Sequence, residues 1–250
     1  FSPVVGILIC CIHFFSRKST IKLIPVLPSI KKLIYSCQVG VSAFVGEISS
    51  GVITVTFNMI ILNLAGNTGV AAYGVVANTS LVAVALFNGI AQGSQPLISR
   101  SYGRGEEQNV RSLLKMALTT ALGLGVLLMI FIFFSAPAVT AVFNSEHDLQ
   151  LAAYADSGLR LYFIGFLFAG INIVGTAALS AVESVKYAFC ASISRGFVAT
   201  IFFAFVLSAC FKMTGIWLAF PAAEFATMFI TLSGLLCFTK QKGGMYHAKD

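Results

Sequence analysis

The feature that most limits what this chain can become is its division into long, uninterrupted apolar runs. Six of them, at residues 33–64, 70–98, 113–143, 149–181, 188–211 and 216–238, are separated by short polar gaps. A helix needs about 20 residues to cross a bilayer, and each run is long enough. A barrel strand would take about 10 residues in strict alternation, and these runs are continuous. Hydrocarbon offers backbone N–H and C=O groups no partner, so a spanning segment must satisfy them internally, as a helix does. The expected fold is an all-α integral membrane protein, a polytopic transmembrane helix bundle with the lipid bilayer as its solvent. The longer runs are expected to tilt, kink or extend into the interface.

A shorter run, residues 1–15, precedes Arg17 and Lys18. A signal peptide places its charges ahead of the apolar stretch, so the order here is wrong for one. The run reads as the end of a helix whose start is missing. The expected organisation is a truncated helix at 1–15, a cytoplasmic connector at 16–32 containing Pro25 and Pro28, a six-helix lobe at 33–238, and a cytoplasmic tail at 239–250.

Composition narrows the function. Apolar residues make up 58% of the 250 positions and charged residues 10%, with mean hydropathy +0.91. A soluble domain carries about 25% charged residues, so too little polar surface exists here to cover a water-soluble globule. The net charge of +7 does not indicate nucleic acid, because the basic residues sit in the gaps and the 23 Phe lie mostly inside the apolar runs. The six cysteines form no CxxC pair, and His13, His147 and His247 have no metal-ligand spacing. No metal, cofactor or disulfide is expected. With neither a histidine cluster nor paired acids at an interface, no enzyme is expected.

Orientation follows from Lys and Arg in successive connections. Arg17, Lys18, Lys22, Lys31 and Lys32 mark the first; Arg100, Arg104, Arg111 and Lys115 the third; Lys186 and Arg195 the fifth; Lys240, Lys242 and Lys249 the tail. The connections of the opposite side hold Lys212 alone, so the connections and tail divide fourteen cations against one. The C-terminus is therefore expected in the cytoplasm, in a multi-pass plasma-membrane protein.

Ionisable residues deep in a span cost about 2.5–3.5 kcal/mol on insertion scales and are functional candidates. Glu47 and Glu224 stand out, and each begins a polar row at helical spacing. The rows are Glu47, Ser50, Thr54 and Asn58; Asn88, Gln92 and Gln95; Asn172, Thr176, Ser180 and Glu183; and Glu224, Thr227 and Thr231. A single Ser or Thr in a span commonly joins helices by a hydrogen bond, and Glu224 can do the same. Four rows, two with a deep acid, are expected to line one shared polar cavity. Desolvation disfavours a charged carboxylate, which suits Glu47 to take up and release a proton; the row's oxygens can instead hold Na⁺. Asp156 and Arg160, four apart, are expected to pair. Pro96 and Pro221, beside polar positions, suggest broken helices of the kind transporters place near binding sites. Gly89 and Gly93 form a GxxxG suited to close helix packing.

The run from Gly89 through Gln92-Gly93-Ser94-Gln95-Pro96 to Arg104-Gly105 resembles the eighth helix and following loop of the multidrug and toxic compound extrusion (MATE) family. Phe44-Val45-Gly46-Glu47 through Gly51 resembles that family's seventh helix, Phe163 to Asn172 its tenth, and Gly215 to Glu224 its twelfth. The resemblance covers essentially the whole chain, from the end of helix six through helix twelve, and is nearest the Gram-positive, MepA-like branch. It implies one lobe of a twelve-helix exporter, with its N-terminal lobe as partner. Amphiphilic, often cationic drugs would leave in exchange for H⁺ or Na⁺. Glu47 matches the acidic position of the seventh helix linked to cation coupling. A tenth-helix aspartate of some members falls near Ala169, with Asn172 close by.

Two rivals belong to the transport class: a lipid-intermediate flippase, which calls for Arg or Lys mid-span to hold anionic cargo, and an inactive half-transporter remnant. A seven-helix receptor or photoreceptor is disfavoured, since the last span has no lysine for a retinal Schiff base and Asp-Arg-Tyr is missing.

Overall fold

The computed structural model describes the backbone of residues 29–145 and 147–246, with side chains over 51–145 and 147–238 and at Ser29, Ile30, Leu33 and Ile48. The expected truncated helix, nearly all of the connector, and the side chains of Glu47 and Ser50 lie outside the described residues. The elements are α1 (Ile30–Gly103), α2 (Glu107–Phe143), α3 (Leu149–Phe163), α4 (Phe166–Ala181), α5 (Val185–Ile193), a π turn (Ser194–Val198) and α6 (Ala199–Tyr246). The chain divides into two compact units. Phe1–Val41 contributes the start of α1 to the described residues, and Ser42–Asp250 holds everything that follows.

Within the second unit, α1 and α6 are each two helical runs that fold back on one another. Gly66 adopts φ 63°, ψ −157°, a region open mainly to residues without a Cβ. Eight residues of straight helix span about 12 Å, yet a Cβ placed on Gly69 would lie 2.9 Å from Ile61 Cγ2. The rings of Phe57 and Tyr73, sixteen positions apart, stack at 5.5 Å. The second reversal is at Lys212, φ 52°, ψ −128°, where a Cβ on Gly215 would collide with the Leu207 carbonyl. Among the described residues, three helices are long and apolar enough to cross a membrane, four when α3 and α4, bent by 47°, count as one span. Splitting α1 and α6 at their reversals gives six runs, with breaks where the polar gaps fall in the sequence.

Short polar residues set the ends. Asp148 caps α3 by accepting from the backbone of Gln150 and Leu151 at 2.8 and 3.2 Å, satisfying two donors that a helix start leaves open. Asn144 closes the same turn, donating to the Asp148 carbonyl at 2.8 Å and accepting from its N–H at 3.0 Å.

Aromatic residues fill the interior. Tyr162 stacks on Phe220 at 4.2 Å, Phe163 and Phe220 pack against Phe166, and Phe87 stacks on Phe166 at 6.1 Å. Glycines permit that approach. A Cβ on Gly165, at the α3–α4 bend, would come within 2.5 Å of the Phe220 ring, and one on Gly170 within 2.5 Å of Phe87. Large apolar side chains also cover the outside, with Phe134 77% and Leu149 86% exposed. Patches of that extent mark contact with something other than water, here lipid.

Three expectations are corrected. The helices run on through Pro96 and Pro221; the departures from α geometry are Gly66, Lys212, the α3–α4 bend and the π turn. Proline removes one hydrogen bond and permits a kink without forcing a break. Among the described residues, no neighbour packs against Gly89 or Gly93. Asp156 accepts from Thr140 at 2.6 Å, while Arg160 lies over the Phe133 ring at 5.4 Å, so the expected pair is replaced by separate partners on α2.

Candidate functional site

Residues of three polar rows come together in two places. The first is a seam between α4, α6 and the π turn. Four residues of the rows, Asn172, Glu224, Thr227 and Thr231, are almost fully buried there. The 3.6-residue period puts Glu224, Thr227 and Thr231 on one face of α6, and that face meets Asn172 on α4. The Asn172 amide donates to Glu224 Oε2 at 2.7 Å and to the Glu224 carbonyl at 2.8 Å, while its oxygen accepts from Thr231 at 3.0 Å.

The other carboxylate oxygen of Glu224 is held by Arg195, whose Nε donates to Oε1 at 2.5 Å. Arg195 is therefore no loop cation: it stands mid-run, in the π turn between α5 and α6. Its side chain is 31% exposed, against 2% for Glu224. The π turn adds a residue to the helical repeat and shifts the facing of what precedes it, and such bulges recur at functional sites. Thr200 fixes the turn by donating to the Arg195 carbonyl at 2.6 Å. Ser194, beside Arg195, shares a 3.1 Å hydrogen bond with Thr227. Burial in low dielectric makes an unpaired carboxylate expensive, and Glu224 has a partner for each oxygen.

The second meeting place is a cavity of about 400 Å³ lined by Gln92, Gln95, Pro96, Ser99, Ser180 and Ala181. It joins the rows of α1 and α4. Asn88 and Gln92 are exposed beside Gly89 and Gly93 on one helix face, and Gln95 is half-buried. Thr176 is half-buried between the seam and the cavity, Thr54 is exposed and Asn58 half-buried. Glu183 is in the turn after α4 with φ 59°, beyond its row's helix. Among the described residues, parts of three rows thus meet at two sites, and Thr54 and Asn58 of the Glu47 row line neither.

Sequence reasoning missed Arg195, Ser194 and Thr200. Arg195 lies inside the apolar run 188–211, seven residues from its start. Its depth was the available signal, and counting it with Lys186 as a connection cation hid it. Arg195 is thus a mid-run cation, where the orientation count had placed it in a connection.

Fold and site together define a polytopic helical membrane protein, with a sealed ion-paired seam and a separate polar face left open. The family model MatE matches residues 43–206. The chain belongs to the MatE family. Its fold is similar to an outward-facing multidrug resistance MATE family transporter of the MOP superfamily, at 18% identity and TM-score 0.84, over 96% of this chain and 54% of that one. An inward-facing structure of such a transporter gives 17% identity and TM-score 0.81, over 96% and 56%. A MOP superfamily transporter from Pyrococcus furiosus, described by the reverse polarity of its binding pocket, gives 17% and 0.80, over 95% and 53%. The chain spans about half the length of these proteins. No curated protein matches it.

Proposed function

We propose that this chain forms the C-terminal lobe of a secondary active transporter. It works by alternating access with an N-terminal lobe and exports amphiphilic, often cationic compounds in exchange for H⁺ or Na⁺. The carrying observation is the exposed amide face of α1. Asn88 and Gln92 stand open beside Gly89 and Gly93, and Gln92 and Gln95 continue into the cavity with Ser180. Amide side chains at membrane depth need water or a polar partner, so this face belongs against an aqueous cleft. Small residues beside the amides leave room for a bulky organic cargo. Glu47, on the same hairpin, is assigned the coupling-ion role. The plasma membrane, with the C-terminus in the cytoplasm, is the proposed setting, and the MepA-like branch the proposed relationship.

The flippase reading gains a mid-span cation in Arg195, but Glu224 neutralises it, so it offers no free charge to anionic cargo. The test is dye efflux from vesicles carrying the full-length protein, driven separately by a pH or a Na⁺ gradient. Export of a cationic dye under one gradient is expected. Absence of export under both, with correctly inserted protein, overturns the proposal.

A further inference from the structure

We propose that Glu224 is a cation-exchange point: the Arg195 guanidinium is its resident cation, and a diffusible monovalent cation displaces it. As a step in transport this rests on the export reading above; as a binding property it stands alone.

The contact has the form of a displaceable one. An arginine fixed against a carboxylate makes a two-pronged contact. Here Nε meets one oxygen, and the other oxygen belongs to Asn172. The acid is sealed and the guanidinium is partly open, so Arg195 is the member of the pair that can be reached from outside the seam. Next to the pair runs a chain of neutral oxygens bonded to one another: Ser194 to Thr227, and Thr231 to the Asn172 side-chain carbonyl and to the Thr227 backbone carbonyl. Once the guanidinium leaves, the buried carboxylate needs another positive charge, which a small monovalent ion or an organic cation can supply.

The exchange is one for one. With Arg195 in place the pair is neutral, and a second buried positive charge would have no counter-charge. An incoming cation therefore requires the guanidinium to leave. The π turn supplies the means. Its register is held by the Thr200 hydroxyl on the Arg195 carbonyl, and one residue of helix turns by about 100°. Relaxing the turn to α-helix would swing Arg195 off Glu224.

The experiment measures binding of tetraphenylphosphonium and, separately, of Na⁺ to purified full-length protein in nanodiscs. Arg195→Gln removes the resident cation, and its dissociation constant for one probe is expected to fall by about tenfold or more. Adding Glu224→Gln should abolish that gain, and Arg195→Lys should stay near wild type. Tightening for tetraphenylphosphonium alone assigns the site to organic cargo; tightening for Na⁺ alone assigns it to the coupling ion. If Arg195→Gln cannot be purified, Thr200→Val, which keeps the pair and loosens the turn, should tighten binding roughly threefold. No tightening in whichever variant is measured, or a gain that survives loss of Glu224, overturns the proposal. Dye efflux is read separately: a protein that exchanges cations without exporting dye refutes the export reading and leaves the exchange standing.

Discussion

Replacing Asn172 by alanine removes the link between α4 and α6. The amide makes three hydrogen bonds across the seam, two to Glu224 and one from Thr231. A bond to a charged group is worth about 1.5–3 kcal/mol net, and a neutral interhelical bond in a bilayer about 0.6 kcal/mol. Arg195 still holds one carboxylate oxygen, so Glu224 keeps part of its compensation. The expected loss is about 2–3 kcal/mol, the larger part from the carboxylate oxygen left without its donor. For a unit of this size about 1 kcal/mol moves the melting temperature by roughly 2–4 °C, so Asn172→Ala should melt roughly 5–10 °C lower. The assay is thermal unfolding of the detergent-purified full-length protein. The control is Ser233→Ala, whose hydroxyl bonds only to its own helix, at Phe229. A double-mutant cycle with Thr231→Val isolates the Asn172–Thr231 bond, with an expected coupling of about 0.6 kcal/mol. A drop in Asn172→Ala no larger than that of the control would show that the seam does not hold the helices together, and the reasoning would fail.

Glu47→Gln should abolish ion-driven dye efflux while membrane insertion, read by surface labelling, is unchanged; full efflux at equal expression would reject the coupling role. Gly170→Ala drives a Cβ into the Phe87 ring, an overpacking cost of about 1–3 kcal/mol. A lower melting temperature that Phe87→Leu partly restores is expected, and an unchanged one would contradict the packing. Lys212→Gly relieves a backbone conformation that costs a non-glycine residue about 1–3 kcal/mol. It should raise the melting temperature, and a fall would show that the lysine side chain contributes more than the strain removes.

The sequence alone determined the solvent and the element type, because both follow from local properties. Apolar runs longer than a bilayer is thick must bury their own backbone, so a helix is forced wherever a run occurs, and the polar gaps marked the turns later found at Gly66, Asn144–Asp148 and Lys212. Helical spacing likewise put Glu224, Thr227 and Thr231 on one face without reference to any other segment. Which face meets which is not local. Asn172 and Glu224 are 52 positions apart, and nothing along the chain fixes that they share a seam while Gln92 and Ser180 share a cavity. Arg195 shows the limit most clearly. Its residue type suits a membrane surface as well as a buried pair, and its place beside Glu224 comes from a π turn, a one-residue shift in hydrogen-bond register that hydrophobic periodicity does not register. Only the packed bundle decided that two charges in hydrocarbon depth would neutralise each other, because that choice depends on the distance between helices.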